Sequence, residues 1–477
     1  MDLLPDLSLI VALLLAVISP LAAAHALLFK RDSRAAIGWV GLCLLLPIAG
    51  PVIYLLFGIN RIQRRAQQLD RPRLAVEPER GRPRHAPQPI EAELDPAQLR
   101  LATIGAQLAS HRLCSGNRVE PLENGNHAYP AMLDAIASAQ HAVWLSTYIF
   151  DTDATGRAFV DALTGAERRG CCVRVLIDGV GQYYSWPTAA RLLRRSGVTC
   201  ARFLAPRLLP PRLSVNLRNH HKMLIIDDQV GFTGGMNIGG RHHVSSPPQR
   251  GDVADLQFRL SGPIVARLAA EFRRSWEFSI GETLPTHTPS RAHEDGCSAR
   301  VITDGPDEDL DRITLTWCAL IAEARHSVLI ETPYFLPPRE LIGALQAASL
   351  RGVEVRLVLP EKNNLPFVHW ATRNMLWELV YQGVNVHYQP PPFSHAKLLV
   401  IDEHYLQIGS SNWDARSLRL NFELQVELFD HTLAGAMAAR IRSRADHGRA
   451  VTMDELDGRS LAVRLRDSFF WLFSPYL

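Results

Sequence analysis

The chain has 477 residues, 47% apolar and 21% charged, enough for two or three domains with sizeable cores and ordinary for a globular protein. A net charge of +3 gives no argument for a polyanionic partner such as nucleic acid. Seven cysteines (Cys43, Cys114, Cys171, Cys172, Cys200, Cys297, Cys318) form an odd set without a Cys-x-x-Cys pair, which argues against a zinc site or a secreted disulfide framework and for a reducing compartment.

At the N-terminus, Leu7 to Phe29 and Ala35 to Phe57 are two uncharged, mostly apolar stretches joined by "KRDSR". Each is long enough, as helix, to cross a bilayer core of roughly 30 Å, so 1–59 is expected to be a transmembrane helical hairpin. The alternative for the first stretch is a cleaved signal peptide, since "AAAHA" resembles a processing site; against it, Met1 to Asp6 carry two aspartates and no basic side chain. Pro47 and Pro51 should kink the second stretch, which needs neighbours to satisfy the freed carbonyls. Lys30, Arg31 and Arg34 at the turn are outnumbered by Arg61, Arg64, Arg65, Arg71 and Arg73 beyond the hairpin, which places the bulk of the chain on the cytoplasmic side of a membrane. Residues 60–99, rich in Arg, Pro and Glu, read as a juxtamembrane linker, either resting on anionic headgroups or a solvated tether.

Beyond the linker the chain repeats itself. "AQHAVWLSTYIF" from Ala139 matches "ARHSVLIETPYF" from Ala324, and "RGCCVRVLIDG" from Arg169 matches "RGVEVRLVLPE" from Arg351. Helical and β-branched strand patterns alternate in each copy, so two duplicated α/β domains are expected, at 100–285 and 286–477, forming a pseudo-two-fold pair with one shared active site.

Each copy then reaches the same phrase: "NHHKMLIID" from Asn219 and "SHAKLLVID" from Ser394. Of 51 basic residues only four are lysine, and Lys222 and Lys397 are two of them. Side chains two apart on a strand share a face, so His220 lies with Lys222 and His395 with Lys397. Asp227, at an odd offset from His220, is better cast as a structural partner at the following turn. The next strands end in Gly234, Gly235 and Asn237, and in Gly409, Ser410 and Asn412. Paired, the two phrases supply donors for the oxygens of a phosphodiester and two imidazoles, one to attack phosphorus and one to protonate the leaving alcohol; no metal and no cofactor is required. A nucleophilic histidine needs its far nitrogen pinned by a carboxylate. Glu423, 28 residues after His395, is the candidate in the second copy, and Asp255, with Asp252 competing, in the first.

These residues resemble the phospholipase D superfamily, whose signature is His-x-Lys-x4-Asp followed by Gly-Gly or Gly-Ser and x-Asn, and both copies fit it. The hairpin ending "YLLFG", the phrases "YIFDTDATG" and "SNWDARSLRLNFE", and the closing "SPYL" make the chain most similar to bacterial cardiolipin synthases, with "VAD" at Val253 to Asp255 where those usually carry Trp-Arg-Asp. The resemblance implies a catalytic set of His220, Lys222, Asp227, His395, Lys397 and Asp402, and substrate binding by Gly234, Gly235, Asn237, Gly409, Ser410 and Asn412. It implies transfer between two phosphatidylglycerol molecules through a phosphatidyl-histidine on His220, with His395 as acid and then base, at a bacterial inner membrane with the catalytic domains cytoplasmic. A phospholipase D or a phosphatidyltransferase with another acceptor would use the same residues; a nuclease of the superfamily or a non-catalytic scaffold fits less well. Oligomeric state is not legible. The aromatic C-terminal tail, with Phe469, Phe470, Trp471, Leu472, Phe473 and Tyr476 behind Arg464 and Arg466, is expected on the membrane near the active-site mouth or docked on the catalytic domain.

Overall fold

The computed structural model describes residues 17–30, 33–58, 94–109, 111–205, 217–305 and 311–475. They belong to two units divided between Ala75 and Val76.

In the first unit, α1 (17–29) packs with α2 (Ser33–Leu45), which is followed by α3 (Ala49–Ile53) and a π turn over Tyr54–Gly58. Ala23, Ala26 and Cys43 form the contact with Tyr54, whose hydroxyl lies 2.8 Å from His25 Nδ1. The second apolar stretch is not one continuous helix. It breaks at 46–48, where Pro47 has no N–H to give the Cys43 carbonyl, and the hydroxyl of Ser19 donates there instead. Among the described residues no helix is long and apolar enough to cross a membrane; residues 7–16 of the first stretch lie outside them.

The second unit begins at α4 (Pro96–Leu108), capped by Asp95, whose side chain accepts the N–H groups of Ala97 and Gln98. The last four residues assigned to the linker, 96–99, are thus the first turn of a helix; 60–93 lie outside the described residues.

The first copy contributes β1 (Cys114–Glu123), β2 (Ala142–Thr147), β3 (Cys172–Asp178), β4 (Thr199–Phe203), β5 (Met223–Ile226), β6 (Val230–Gly234) and β7 (Leu256–Ser261). Its helices are α5 (Asn124–Ser138), α6 (Ala154–Arg168), α7 (Ala189–Arg195) and α8 (Ile264–Ile280). The second copy contributes β8 (Cys297–Asp304), β9 (Ser327–Glu331), β10 (Glu354–Pro360), β11 (Asn385–Gln389), β12 (Leu398–Ile401), β13 (Tyr405–Gly409) and β14 (Asn421–Phe429). Its helices are α9 (Arg312–Glu323), α10 (Arg339–Leu350), α11 (Pro366–Tyr381), α12 (Ala415–Leu420), α13 (His431–Asp446), α14 (Met453–Asp457) and α15 (Leu461–Trp471).

One continuous sheet runs β11-β10-β9-β12-β13-β14-β8-β1-β7-β6-β5-β2-β3-β4. Read outward from the antiparallel β8·β1 pair, the two sides have the same order, so the copies are related by an approximate two-fold axis through that pair. Strand alternation sorts the core into layers. Val143 and Leu145 of β2 enter the core under α5, α6 and α7, and Val328 and Ile330 of β9 that under α9, α10 and α11. Trp144 and Leu329 point the other way, into a single core under α8 and α13 that joins both copies. Each large side chain buried there is worth roughly 1.5–3 kcal/mol, so a core shared across the axis holds the copies together as one body.

The C-terminal tail is docked on the catalytic domain, one of the two placements considered for it. Asp467 of α15 is fully buried and accepts from Arg373 of α11 and from Arg459, and Phe470 packs on Trp370 with ring centroids 5.1 Å apart. Leu465, Phe469, Leu472 and Phe473 remain exposed on the other side.

Candidate active site

Two short parallel bridges position the histidines. Arg218 and Asn219 pair with Asn421 and Phe422 at the start of β14, and the His220 N–H donates to the Phe422 carbonyl at 3.0 Å. One residue further along this register, His220 Nδ1 meets the Glu423 carboxylate at 3.0 Å. Across the axis, Phe393 and Ser394 pair with Val253 and Ala254, the His395 N–H donates to the Ala254 carbonyl at 2.7 Å, and His395 Nδ1 lies 3.0 Å from Asp255 Oδ2. Each imidazole is therefore oriented by the carboxylate of the other copy. The assignment of each carboxylate to the histidine of its own copy is corrected: the bridges cross the two-fold, and the carboxylates cross with them. Asp252 serves neither histidine, since its carboxylate accepts the N–H groups of Ser245 and Gln249.

Burial dominates the electrostatics. Desolvation pulls His220 down to about 4 against the opposing pull of Glu423; desolvation and the Lys397 charge pull His395 to about 3 against that of Asp255. Both imidazoles are neutral at neutral pH. Burial works the other way on Glu423 and Asp255, but His220, Lys222 and Ser410 for the one, and His395, Lys397 and His242 for the other, outweigh it and hold both near about 2. A neutral imidazole that donates from Nδ1 to an ionised carboxylate keeps its lone pair on Nε2.

The lysines lie alongside. Lys222 Nζ donates to the His220 carbonyl at 2.8 Å; Lys397 Nζ donates to the His395 carbonyl at 2.7 Å and sits 3.2 and 3.3 Å from the two ring nitrogens. Burial lowers both ammoniums, Lys397 to about 8, and the charge of Lys397 lowers Lys222 further. Lys397 also lowers His220, and Lys222 lowers His395, as expected of one common site.

The glycines are required by space. A Cβ on Gly235 would stand 2.8 Å from Asp255 Oδ1 and from the His395 carbonyl oxygen. Ser410, grouped from sequence with the substrate-binding residues, instead gives its hydroxyl to Glu423, as Ser417 does. Asn237 Oδ1 accepts the Ile149 N–H at 3.0 Å, while Asn412 Oδ1 is buried without a partner among the described residues.

Asp227 and Asp402 leave the catalytic set. They occupy the turns at the far ends of β5 and β12, each at positive φ (53° and 54°). Asp227 accepts the N–H groups of Gln140, His141 and Ala142, and Asp402 those of Arg325, His326 and Ser327, all at 2.7–2.9 Å. They clamp the starts of β2 and β9. Asp402→Ala is expected to cost about 2 kcal/mol by orphaning three donors, visible as a thermal midpoint a few degrees lower, with the catalytic constants of the folded protein close to wild type.

Sequence reasoning missed four neighbours. Tyr148 and Tyr334 set their rings edge-on to His220 and His395, at 5.3 and 6.2 Å. His242 Nδ1 lies 3.9 Å from Asp255 Oδ2. Asp414 caps α12, and burial raises its carboxyl to about 7. The tyrosines were within reach, since both fall in the repeated "STYIF" and "ETPYF" stretches; His242 and Asp414 have no counterpart in the other copy to flag them. Among the described residues, one group has metal-ligand geometry, Asp95, His404 and His431, with ligand atoms within 4.8 Å of one another. It sits beside the Asp402 turn, away from the histidine pair.

A family model described as "Cardiolipin synthase, PLD-like domain" matches residues 132–276 and 317–444, one segment in each copy and more than half of the chain. The chain belongs to this cardiolipin synthase family. A second model, "Phospholipase D-nuclease N-terminal", matches residues 10–58. The chain is 30% identical to the "Major cardiolipin synthase ClsA" of Bacillus subtilis (strain 168), over 94% of this chain and 95% of that one. It is 29% identical to a "Cardiolipin synthase A" of Pseudomonas putida, over 96% and 95% of the two chains. Among solved structures, the phosphatidylserine synthase of Haemophilus influenzae has the same fold, with a TM-score of 0.61 at 13% identity, covering 79% of this chain and 100% of that one. The family's duplicated segments lie within 100–285 and 286–477.

Proposed function

We propose that the chain is a phosphatidyltransferase that converts two phosphatidylglycerol molecules to cardiolipin and glycerol. The observation that carries this reading is the crossed pair: two neutral imidazoles, each pinned through Nδ1 by the opposite copy's carboxylate, beside two buried ammoniums. His220 Nε2 attacks the phosphorus of the first lipid, and the bond from phosphorus to the glycerol headgroup oxygen breaks. That oxygen takes a proton from His395 and leaves as glycerol. The terminal hydroxyl of a second phosphatidylglycerol then gives its proton back to His395 while its oxygen displaces His220 from phosphorus. Lys222, Lys397, Asn237 and Asn412 hold the phosphate oxygens as charge grows on them. His395 begins neutral and takes up its proton from solvent as the lipid binds, since the arriving phosphodiester anion offsets the Lys397 charge that disfavours it. No metal and no nucleic acid enters the scheme.

The apolar character of 7–57, the match of 10–58 to an N-terminal family segment and the Ser19 hydroxyl that satisfies the Cys43 carbonyl support a two-helix membrane anchor, with domains 100–285 and 286–477 on the cytoplasmic face of a bacterial inner membrane.

Purified full-length chain, given labelled phosphatidylglycerol in mixed micelles, is expected to release one glycerol for each four-chain lipid formed, and an alkaline quench should trap a phosphatidyl adduct that His220→Ala lacks. Phosphatidic acid as the sole lipid product would make water the acceptor and the chain a phospholipase; an adduct on His395 would exchange the two roles.

A further inference from the structure

Beside the histidines, the turn Gly181–Tyr184 after β3 carries aromatic side chains into solvent: Tyr183 and Tyr184 are each 59% exposed, and Trp186 is 75% exposed. This turn is tied to the reacting phrase. Asp178, at the end of β3, accepts the Val180 and Gly181 N–H groups on one carboxylate oxygen and the N–H of Asn219, the neighbour of His220, on the other. The Tyr184 ring lies 6.3 Å from that of Tyr148, which in turn lies 5.3 Å from His220.

Next to the turn, α7 and β4 present Arg191, Arg194, Arg195 and Arg202, all exposed. With Tyr183 and Trp186 they line an open groove of about 440 Å³ that no carboxylate lines among the described residues. Among the described residues none of the four forms an ion pair; Arg194 donates to the Ala190 carbonyl, and Arg191 lies 5.5 Å from the centre of the Trp186 ring. Elsewhere the arginines of this unit commonly pair, as Arg174 does with Glu282 and Arg442 with Glu403. Four unpaired guanidiniums held together repel one another until an anion arrives, and exposed Trp and Tyr beside them match the headgroup boundary of a bilayer.

We propose that this face docks on an anionic phospholipid bilayer, with lipid phosphates seated among the four arginines and Tyr183 and Trp186 at headgroup depth, so that the mouth beside His220 opens at the lipid. It extends the proposed function, to which it adds the surface that presents the substrate.

The test uses full-length chain reconstituted in nanodiscs, reading the emission of Trp186 as the difference between wild type and Trp186→Phe. Brominated phosphatidylglycerol is expected to quench that difference. The quenching should fall at least twofold when the anionic lipid is replaced by brominated phosphatidylcholine, or when Arg191, Arg194, Arg195 and Arg202 are all changed to Gln. The same quadruple variant should show about a tenfold higher KM in mole fraction of phosphatidylglycerol with kcat unchanged, and wild-type turnover of a soluble short-chain analogue, which also certifies its fold. An unquenched Trp186, or a KM that does not move, would overturn the proposal. So would tight binding of a labelled oligonucleotide that the quadruple variant loses, since it would assign the groove to nucleic acid. Quenching without any lipid turnover would instead leave the docking in place and remove the proposed reaction.

Discussion

When the headgroup of the substrate is replaced by p-nitrophenol, His395→Ala and Asp255→Asn are expected to regain a burst of about one nitrophenolate per active site, while His220→Ala gives none and Glu423→Gln gives a strongly slowed one. On phosphatidylglycerol itself, either histidine variant should lose about 10³-fold or more, and either carboxylate variant about 10–100-fold. The difference lies in the leaving group. Glycerol must be protonated as it departs, whereas nitrophenolate leaves as the anion and has no use for an acid. The burst is the right measure because resolving the intermediate still calls on His395 as base. The pairing of the effects tests the crossed geometry: His395 is held by Asp255 and His220 by Glu423, each at 3.0 Å, so the variants must group across the two copies. If Glu423→Gln regains its burst with His395→Ala while Asp255→Asn stays slow, the carboxylates act within their own copies and the site is drawn wrongly. If the whole pattern inverts, the crossing stands and His395 is the nucleophile.

The duplication and the site's parts were legible because both copies carry the same marks, and the structure supplies physical reasons for marks that chemistry alone left unexplained. The repeated "RG" is one. Arg169 and Arg351 each donate to a carbonyl near the end of the preceding helix pair, Ile136 and Ile321, at 2.9 and 2.8 Å, and Gly170 and Gly352 turn the chain at φ 93° and 85°. The odd offset of Asp227 from His220 correctly separated it from the catalytic face, whereas membership of the motif drew it back in. What a single sequence could not show is the crossing. Periodicity fixes the face on which a side chain lies, but bridges such as Phe422 with Asn219 join residues 203 positions apart, and no local pattern encodes which copy supplies the partner. The difference between Gly235 and Ser410 is left open by the motif, which takes Gly-Gly or Gly-Ser. It follows from the different surroundings: Gly235 is backed against Asp255 and the His395 carbonyl with no room for a Cβ, while Ser410 donates its hydroxyl to Glu423.

The pH dependence should carry the signature of the buried lysines. In kcat/KM, which reports the free enzyme, activity is expected to decline about tenfold per pH unit above the acid range, because His395 must take up its proton against a pKa of about 3, and to steepen as pH rises through about 8, where Lys397 loses its proton because burial disfavours the ammonium. An exposed lysine would hold its charge about two units further, to its ordinary value near 10.4. The acid limb belongs to His220, which must be neutral to attack; its pKa, lowered to about 4, means that activity is lost only as pH falls toward that value. In kcat the alkaline limb should move upward, because a bound phosphodiester anion stabilises the ammonium beside it. Asp414, lifted to about 7 by burial, also titrates in this range, and Asp414→Asn removes its inflection from the profile. Charge alone does not make the site. Lys397→Arg is expected to lose about 100-fold although it stays cationic, since the planar guanidinium must occupy a place only 3.1 Å from where a Gly235 Cβ would stand and within 3.3 Å of both ring nitrogens of His395. An alkaline limb at 10 or above, or one that stays in place at saturation, would show that the lysines do not face the phosphate.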